Sequence, residues 1–248
     1  MSGHSKWSTI KRKKGALDAK RSQIFTRLVK EIQIASREGG SDIDTNPRLR
    51  LAVNNAKGAN MPKDNIQRAI KKGEGGGENY ESYTYEGYGP GGVAIFVECL
   101  SDNQNRTVGN IRSIFRKHGG TLGTNGSLSF IFERKGIFNI PKAGRDAEEL
   151  QLELIDGGLE DFVETDDYFE LTVAFEDFGN MQKKLEELRI EAQSAQLQRI
   201  PMSEQATDAD TARSVLKMVE AFEDDDDVQN VFHNLEMTEE VEAIMNED

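Results

Sequence analysis

Between residues 73 and 79 the chain places glycine at 73, 75, 76 and 77, a stretch that gives a core nothing to pack and is costly to order. The hydrophobic period changes across it. Before it, apolar residues recur at three- and four-residue spacing; after it, short apolar runs alternate with helical patterns. The stretch therefore reads as a linker between a helical unit and an α+β body. A chain of 248 residues has room for two or three such units.

In the helical unit, Ile24, Leu28, Ile32 and Ala35, flanked by Phe25 and Val29, form one apolar stripe. Lys20, Arg21, Arg27, Lys30 and Arg37 are expected largely off that stripe, toward solvent. After Gly39-Gly40 two shorter helices are predicted, starting where Asn46 precedes Pro47 and where Asn60 precedes Met61-Pro62, and ending near Lys57 and Lys72. Proline suits a first helical turn because its missing N–H would be unpaired there. Leu49, Ala52, Val53 and Ala56 form one apolar face, and Ile66, Ala69 and Ile70 the other.

Beyond the linker, 93–100 reads as a buried strand, 106–118 as a helix, and 127–133 as a strand from the alternation of Leu128, Phe130 and Phe132. The next stretch gives strand 136–141, helix 146–155, strands 161–165 and 169–175, helix 178–190 and strand 192–200. That is a β-α-β-β-α-β unit. Helix 208–222 and strand 227–235 remain, and joined to 93–133 they would complete a second set. The expected fold is thus multidomain α+β: an N-terminal helical bundle (1–79) followed by two ferredoxin-like β-α-β-β-α-β domains, one inserted in the other. The outer domain would be 80–133 plus 206–248, and the inserted one 134–205.

Charge is segregated along the chain. Residues 1–72 hold 17 Lys+Arg against 6 Asp+Glu, a balance of +11, while 73–248 carries −24, so the overall −13 conceals a basic end. Lys11-Arg12-Lys13-Lys14 is its densest block. The set read as contacting phosphate is Lys6, Lys11, Arg12, Lys13, Lys14, Lys20, Arg21, Arg27, Lys57, Lys63, Arg68, Lys71 and Lys72. Asn54, Asn55, Asn65 and Gln67 are candidates for base edges, but each equally suits a solvated helix.

Catalysis finds little support. His4, His118 and His233 lack metal-ligand spacing, and there is no Cys-x-x-Cys. Residues 87–92 satisfy G-x-G-x-x-G but open a strand rather than a helix, so a rigid turn is preferred to a dinucleotide site. No P-loop is encoded, and Asp224–Asp227 reads as solvated linker rather than a cation loop. In the 102–107 turn, capping accounts for Asp102 and Asn105, leaving Arg106 as an anion fork or interdomain contact. An enzyme site assembled between Arg106 and the 87–92 turn is a weaker alternative, since no nucleophile and base pair up. No cofactor, metal or small-molecule substrate is implied. The single cysteine, Cys99, lies in an apolar run and reads as a buried thiol; with no leader-like N-terminus and no membrane-spanning run, the expected location is the cytoplasm.

Several stretches together resemble the YebC/PmpR family: Gly3-His4-Ser5-Lys6-Trp7, Asp18-Ala19-Lys20-Arg21, Asn60-Met61-Pro62-Lys63, Tyr85 through Gly92, Asp102 through Thr107, Asp226-Asp227-Val228-Gln229 and His233-Asn234. The resemblance runs nearly end to end. It implies a three-domain protein with a helical N-terminal domain, described in bacteria as a probable transcriptional regulatory, DNA-binding protein. Relatives include a mitochondrial translational activator, and the family is tied to ribosomes translating proline stretches. Ser22-Gln23 stands where members commonly carry Gly-Lys, and Gln104 where a basic residue is common, so a charge is missing at each place. Two partners follow as expectations: DNA, with the acidic domains pairing with each other or another protein, or else ribosomal or messenger RNA.

Overall fold

The computed structural model describes residues 18–76 and 79–247. Three helices open it: α1 (Asp18–Gly39), α2 (Pro47–Gly58) and α3 (Lys63–Glu74). Ile32 and Ala35 of α1 are buried against Leu49, Ala52, Val53 and Ala56 of α2, and Ile66, Ala69 and Ile70 of α3. The stripe begins later than expected, because Ile24 is 41% exposed and Phe25, Leu28 and Val29 are only partly covered. Asn46 caps α2 by accepting from the Leu49 amide at 3.0 Å, while its own amide group donates to Ala35 and Gly40 carbonyls at 2.7 Å each. Asn60 does no such work. It lies in the left-handed region (φ 59°) after α2, and Pro62 takes the capping position of α3 without a side-chain bond.

The expected linker begins too early, for α3 runs through Gly73. A Cβ there would stand 2.4 Å from the Gln33 carbonyl oxygen, so this glycine sets how closely α3 approaches α1.

Two four-stranded antiparallel sheets follow. The first contains β1 (Glu81–Tyr88), β2 (Ala94–Ser101), β3 (Thr121–Leu122) and β8 (Val228–His233), in the order β3-β1-β2-β8. Helices α4 (Gln104–Lys117) and α7 (Ala209–Glu223) cover one face; Val93, Ile95, Val97 and Cys99 meet Ile111, Phe115, Val215, Met218 and Phe222 there. A last helix, α8 (Glu239–Glu247), was not expected, and adds Val241, Ile244 and Met245 to the same core.

The connectivity of this sheet corrects the sequence reading. It is β-β-α-β-α-β rather than β-α-β-β-α-β, because β1 supplies a strand while 127–131 is a turn. The buried Glu86 carboxylate accepts from the Gly126 and Leu128 amides at 2.7 and 2.6 Å, which folds that segment over β1. Leu128 is buried but Phe130 is 69% exposed, so the alternation there does not mark a strand face.

The second sheet has the order β5-β6-β4-β7 and the ferredoxin-like connectivity read from the sequence. Its elements are β4 (Phe132–Pro141), α5 (Ala147–Leu154), β5 (Leu159–Glu164), β6 (Tyr168–Ala174), α6 (Phe178–Glu187) and β7 (Ser194–Pro201). Phe138, Ile140, Phe169 and Leu171 meet Leu150, Leu154, Met181 and Leu185 in its core. In sequence it lies between the third and fourth strands of the first sheet. The two sheets are tied by Arg199, which pairs with Glu98 at 3.0 Å and stacks 3.7 Å from the centre of the Phe96 ring.

Candidate nucleic-acid interface

The cations of the helical unit divide into those spent on holding it in place and those left on its exterior. Arg27 and Lys30, expected to face solvent, point instead at the acidic loop between α7 and β8. Arg27 donates to the Glu223 carbonyl at 2.6 Å, and burial holds its guanidinium below the ordinary value even beside Glu223, Asp224 and Asp226. Lys30, 7% exposed, donates to the carbonyls of Asp226 (2.6 Å) and Leu100 (3.2 Å) and lies 3.6 Å from the Asp227 carboxylate. Gln23 reaches Asp224 at 3.1 Å.

Asp227 is the hub of this contact, which overturns its assignment to a solvated linker. It is 4% exposed and accepts from Ser101 at 3.0 Å, Thr107 at 2.9 Å and the Arg106 guanidinium at 3.0 to 3.2 Å. Burial alone would raise its carboxyl, but the hydrogen bonds from Thr107, Arg106 and Ser101 and the Lys30 charge together hold it below the usual carboxylate value. Arg106 is thus neither a free anion fork nor an interdomain contact, since Asp227 and Asp102 belong to its own α+β unit: it pairs with Asp102 at 2.8 Å as well, and these two carboxylates raise its own value. The cap of α4 is Asn103, accepting from the Arg106 amide at 3.1 Å, rather than Asp102 or Asn105.

A second seam holds α2 against β7. Asn55 donates to the Ala195 carbonyl and accepts from its amide, both at 2.9 Å, so a side chain takes the place of a neighbouring strand along this sheet edge. Arg50 pairs with Glu186 at 3.0 Å, and Lys57 lies 3.7 Å from Glu191. Asn55 therefore has both ends of its amide engaged and is not at liberty to read a base edge, and the Asn65 oxygen accepts from Arg68.

What the helical unit leaves outside is the polar side of α3. Lys63, Arg68, Lys71 and Lys72 are exposed there, accompanied by Asp64 and Glu74, while Ile66, Ala69 and Ile70 face inward. The Lys63 and Lys71 side chains have no partner among the described residues. Lys6 and Lys11, Arg12, Lys13, Lys14 lie outside the described residues, as do the side chains of Lys20 and Arg21.

One cationic region escaped the sequence reading. Residues 103–132 include Arg106, Arg112, Arg116 and Lys117 and not one carboxylate, within a segment otherwise strongly acidic. A charge count in a thirty-residue window would have found it. Arg112, Arg116 and Lys117 are exposed on α4. Gly109 sits between them and the helix start, exposed, with open space where a Cβ would be. A glycine in a helix interior costs about 1 kcal/mol against alanine.

The remaining candidates are structural. The 87–92 stretch makes the β1–β2 hairpin, with Gly91 at φ 68° against Thr211 and Thr207 of the α7 start. Burial pushes the Cys99 thiol up to about 12, which leaves it protonated and unreactive. Among the described residues no cluster of His, Cys, Asp and Glu could hold a metal ion, and no helix is long and apolar enough to cross a membrane.

Two family models match the chain: the TACO1/YebC protein N-terminal domain over residues 5–76, and the TACO1/YebC second and third domain over 80–235. A protein of Rubrobacter xylanophilus named probable transcriptional regulatory protein is 51% identical over 246 residues, covering 98% of each chain. One of Amoebophilus asiaticus with the same name is 50% identical over 95% of this chain and 98% of its own. The crystal structure of a conserved hypothetical protein from Aquifex aeolicus superposes with a TM-score of 0.79 at 42% identity, covering 91% of this chain and 94% of that one.

Proposed function

The chain belongs to the TACO1/YebC family, and from that premise we propose that it is a regulator that binds nucleic acid, with the helical unit on the phosphodiester backbone. The observation that carries this reading is the outer side of α3, where Lys63, Arg68, Lys71 and Lys72 stand exposed on a helix whose other side is buried. Cations placed against phosphate release condensed counterions, which drives binding and makes it salt-dependent. Lys20, Arg21, Lys6 and the Lys11, Arg12, Lys13, Lys14 block add further phosphate contacts in this reading, whereas Arg27 and Lys57 do not, because Glu223 and its neighbours hold the first and Glu191 pairs with the second.

Duplex DNA is the first target, in keeping with the names of the relatives. Structured RNA is the second, favoured by the engagement of Asn55 and Asn65 within the protein. Two of the four candidate amides are thus engaged within the protein, which shifts recognition toward charge and shape and away from base sequence.

Anisotropy titrations of the full chain against duplex DNA and a structured RNA, over a series of salt concentrations, test the proposal. Changing Lys11, Arg12, Lys13 and Lys14 together to Ala is expected to flatten the salt dependence by up to about four phosphate contacts. The combined Lys63→Gln, Arg68→Gln, Lys71→Gln and Lys72→Gln change should do so by a comparable amount. Unaltered slopes in both variants would remove the helical unit from the interface.

A further inference from the structure

We infer that the outer side of α4 is a second contact surface for a phosphodiester backbone, with Arg112 and Arg116 on phosphates and Gly109 admitting the strand close to the helix. The inference rests on the reading that this chain binds a nucleic acid. Residues 105, 109, 112 and 116 follow one another at four- and three-residue steps, so they form one stripe, opposite the buried Thr107, Ile111 and Phe115. Arg112 and Arg116 are exposed and have no partner among the described residues. No carboxylate occurs anywhere from 103 to 132 to neutralise them.

Gly109 is the second observation. It is exposed, its helical φ needs no glycine, and no neighbour would meet a Cβ there. The fold therefore gives no reason for the weakest ordinary helix former at this point. A bare patch of helix between Asn105 and Arg112 does have a use if another backbone must lie across it.

The helix is also held at a fixed rotation. On its neighbouring stripe, Arg106 is bound to Asp227 and Asn110 donates to Asp225 at 2.9 Å, so the helix backbone that carries the two arginines is already in place before a ligand arrives. Asp227 holds Lys30 of α1 as well, so one residue fixes α4 and the helical unit relative to each other.

The test uses the full chain, a labelled 30-base-pair duplex and a labelled RNA hairpin at several salt concentrations, with polyglutamate as a competitor. Arg112→Gln with Arg116→Gln should weaken binding by about tenfold or more near 0.15 M salt and lower the DNA salt slope by about 1.8, two phosphates' worth. Whichever probe loses more affinity identifies the polymer. Gly109→Gln should raise the thermal midpoint while weakening binding several-fold, a combination that a purely structural glycine would not produce. Lys63→Gln with Lys71→Gln serves as the comparator. Wild-type affinity and slope in the α4 pair, beside a loss in the comparator, would overturn this inference and leave the helical unit in place. The reverse pattern supports α4 and removes the helical unit. Binding of neither probe removes both, and competition by polyglutamate as strong as by unlabelled nucleic acid overturns the choice of phosphodiester.

Discussion

Asp227 combines near-complete burial with a retained charge, and four polar residues from three parts of the chain converge on it: Lys30, Ser101, Arg106 and Thr107. Removing one member of such a pair leaves the others buried without a counter-charge. Asp227→Asn is therefore expected to lower stability by about 3 kcal/mol in urea unfolding, since Lys30 is enclosed while Arg106 retains access to water and to Asp102. The pH dependence follows from the same site. A carboxyl held below its unfolded value binds fewer protons when native, so its contribution is present above about pH 3.9, the unfolded value, and is lost as pH falls through the lower native one. Acid titration of the wild type should show that limb, and the Asn variant should lack it. None of this was legible from four consecutive aspartates, because only the fold brings Lys30 and Arg106 to the last of them. Asp208, by contrast, was placed at the start of a predicted helix, and its bond to the Thr211 amide at 2.9 Å involves neighbours in sequence.

Elements with a strong apolar period were legible, and those whose burial is decided by distant partners were not. Helices α2, α5 and α7 fall within a residue or two of expectation, since their caps and apolar faces are local features. Strand β1 was missed because its glutamates, serine and tyrosines give no clear apolar run, while Leu128, Phe130 and Phe132 mimicked a strand in a turn set by Glu86. Two helical glycines separate packing from surface roles. Gly73→Ala should destabilise by about 1–3 kcal/mol, because the new methyl meets the Gln33 carbonyl and the Ser36 side chain. Gly109→Ala should stabilise by about 1 kcal/mol, because nothing opposes it and alanine is the better helix former. Thermal unfolding monitored by circular dichroism measures both, and the opposite order would mean that α1 and α3 are less closely apposed than the structure has them.

At the scale of the molecule, the charge asymmetry along the chain does not hold the two halves apart. Part of the basic end is neutralised by the acidic body through Arg27, Lys30, Arg50 and Lys57, while Lys63, Arg68, Lys71 and Lys72 stay exposed on the outer side of α3. Charge counting located the cationic segment, but could not say which of its members face inward. The seam between Asn55 and Ala195 has a further effect, since β7 is the border strand of its sheet. A border strand with vacant amides and carbonyls invites the same strand of a second molecule. Asn55→Ala should raise concentration-dependent light scattering and speed hydrogen exchange at the Ala195 amide; unchanged values would show that the helices do not shield this margin. The amide of Asn55 thus works as a stopper against self-polymerisation, and any movement that drew α2 away to meet a large target would leave the protein briefly adhesive to its own kind.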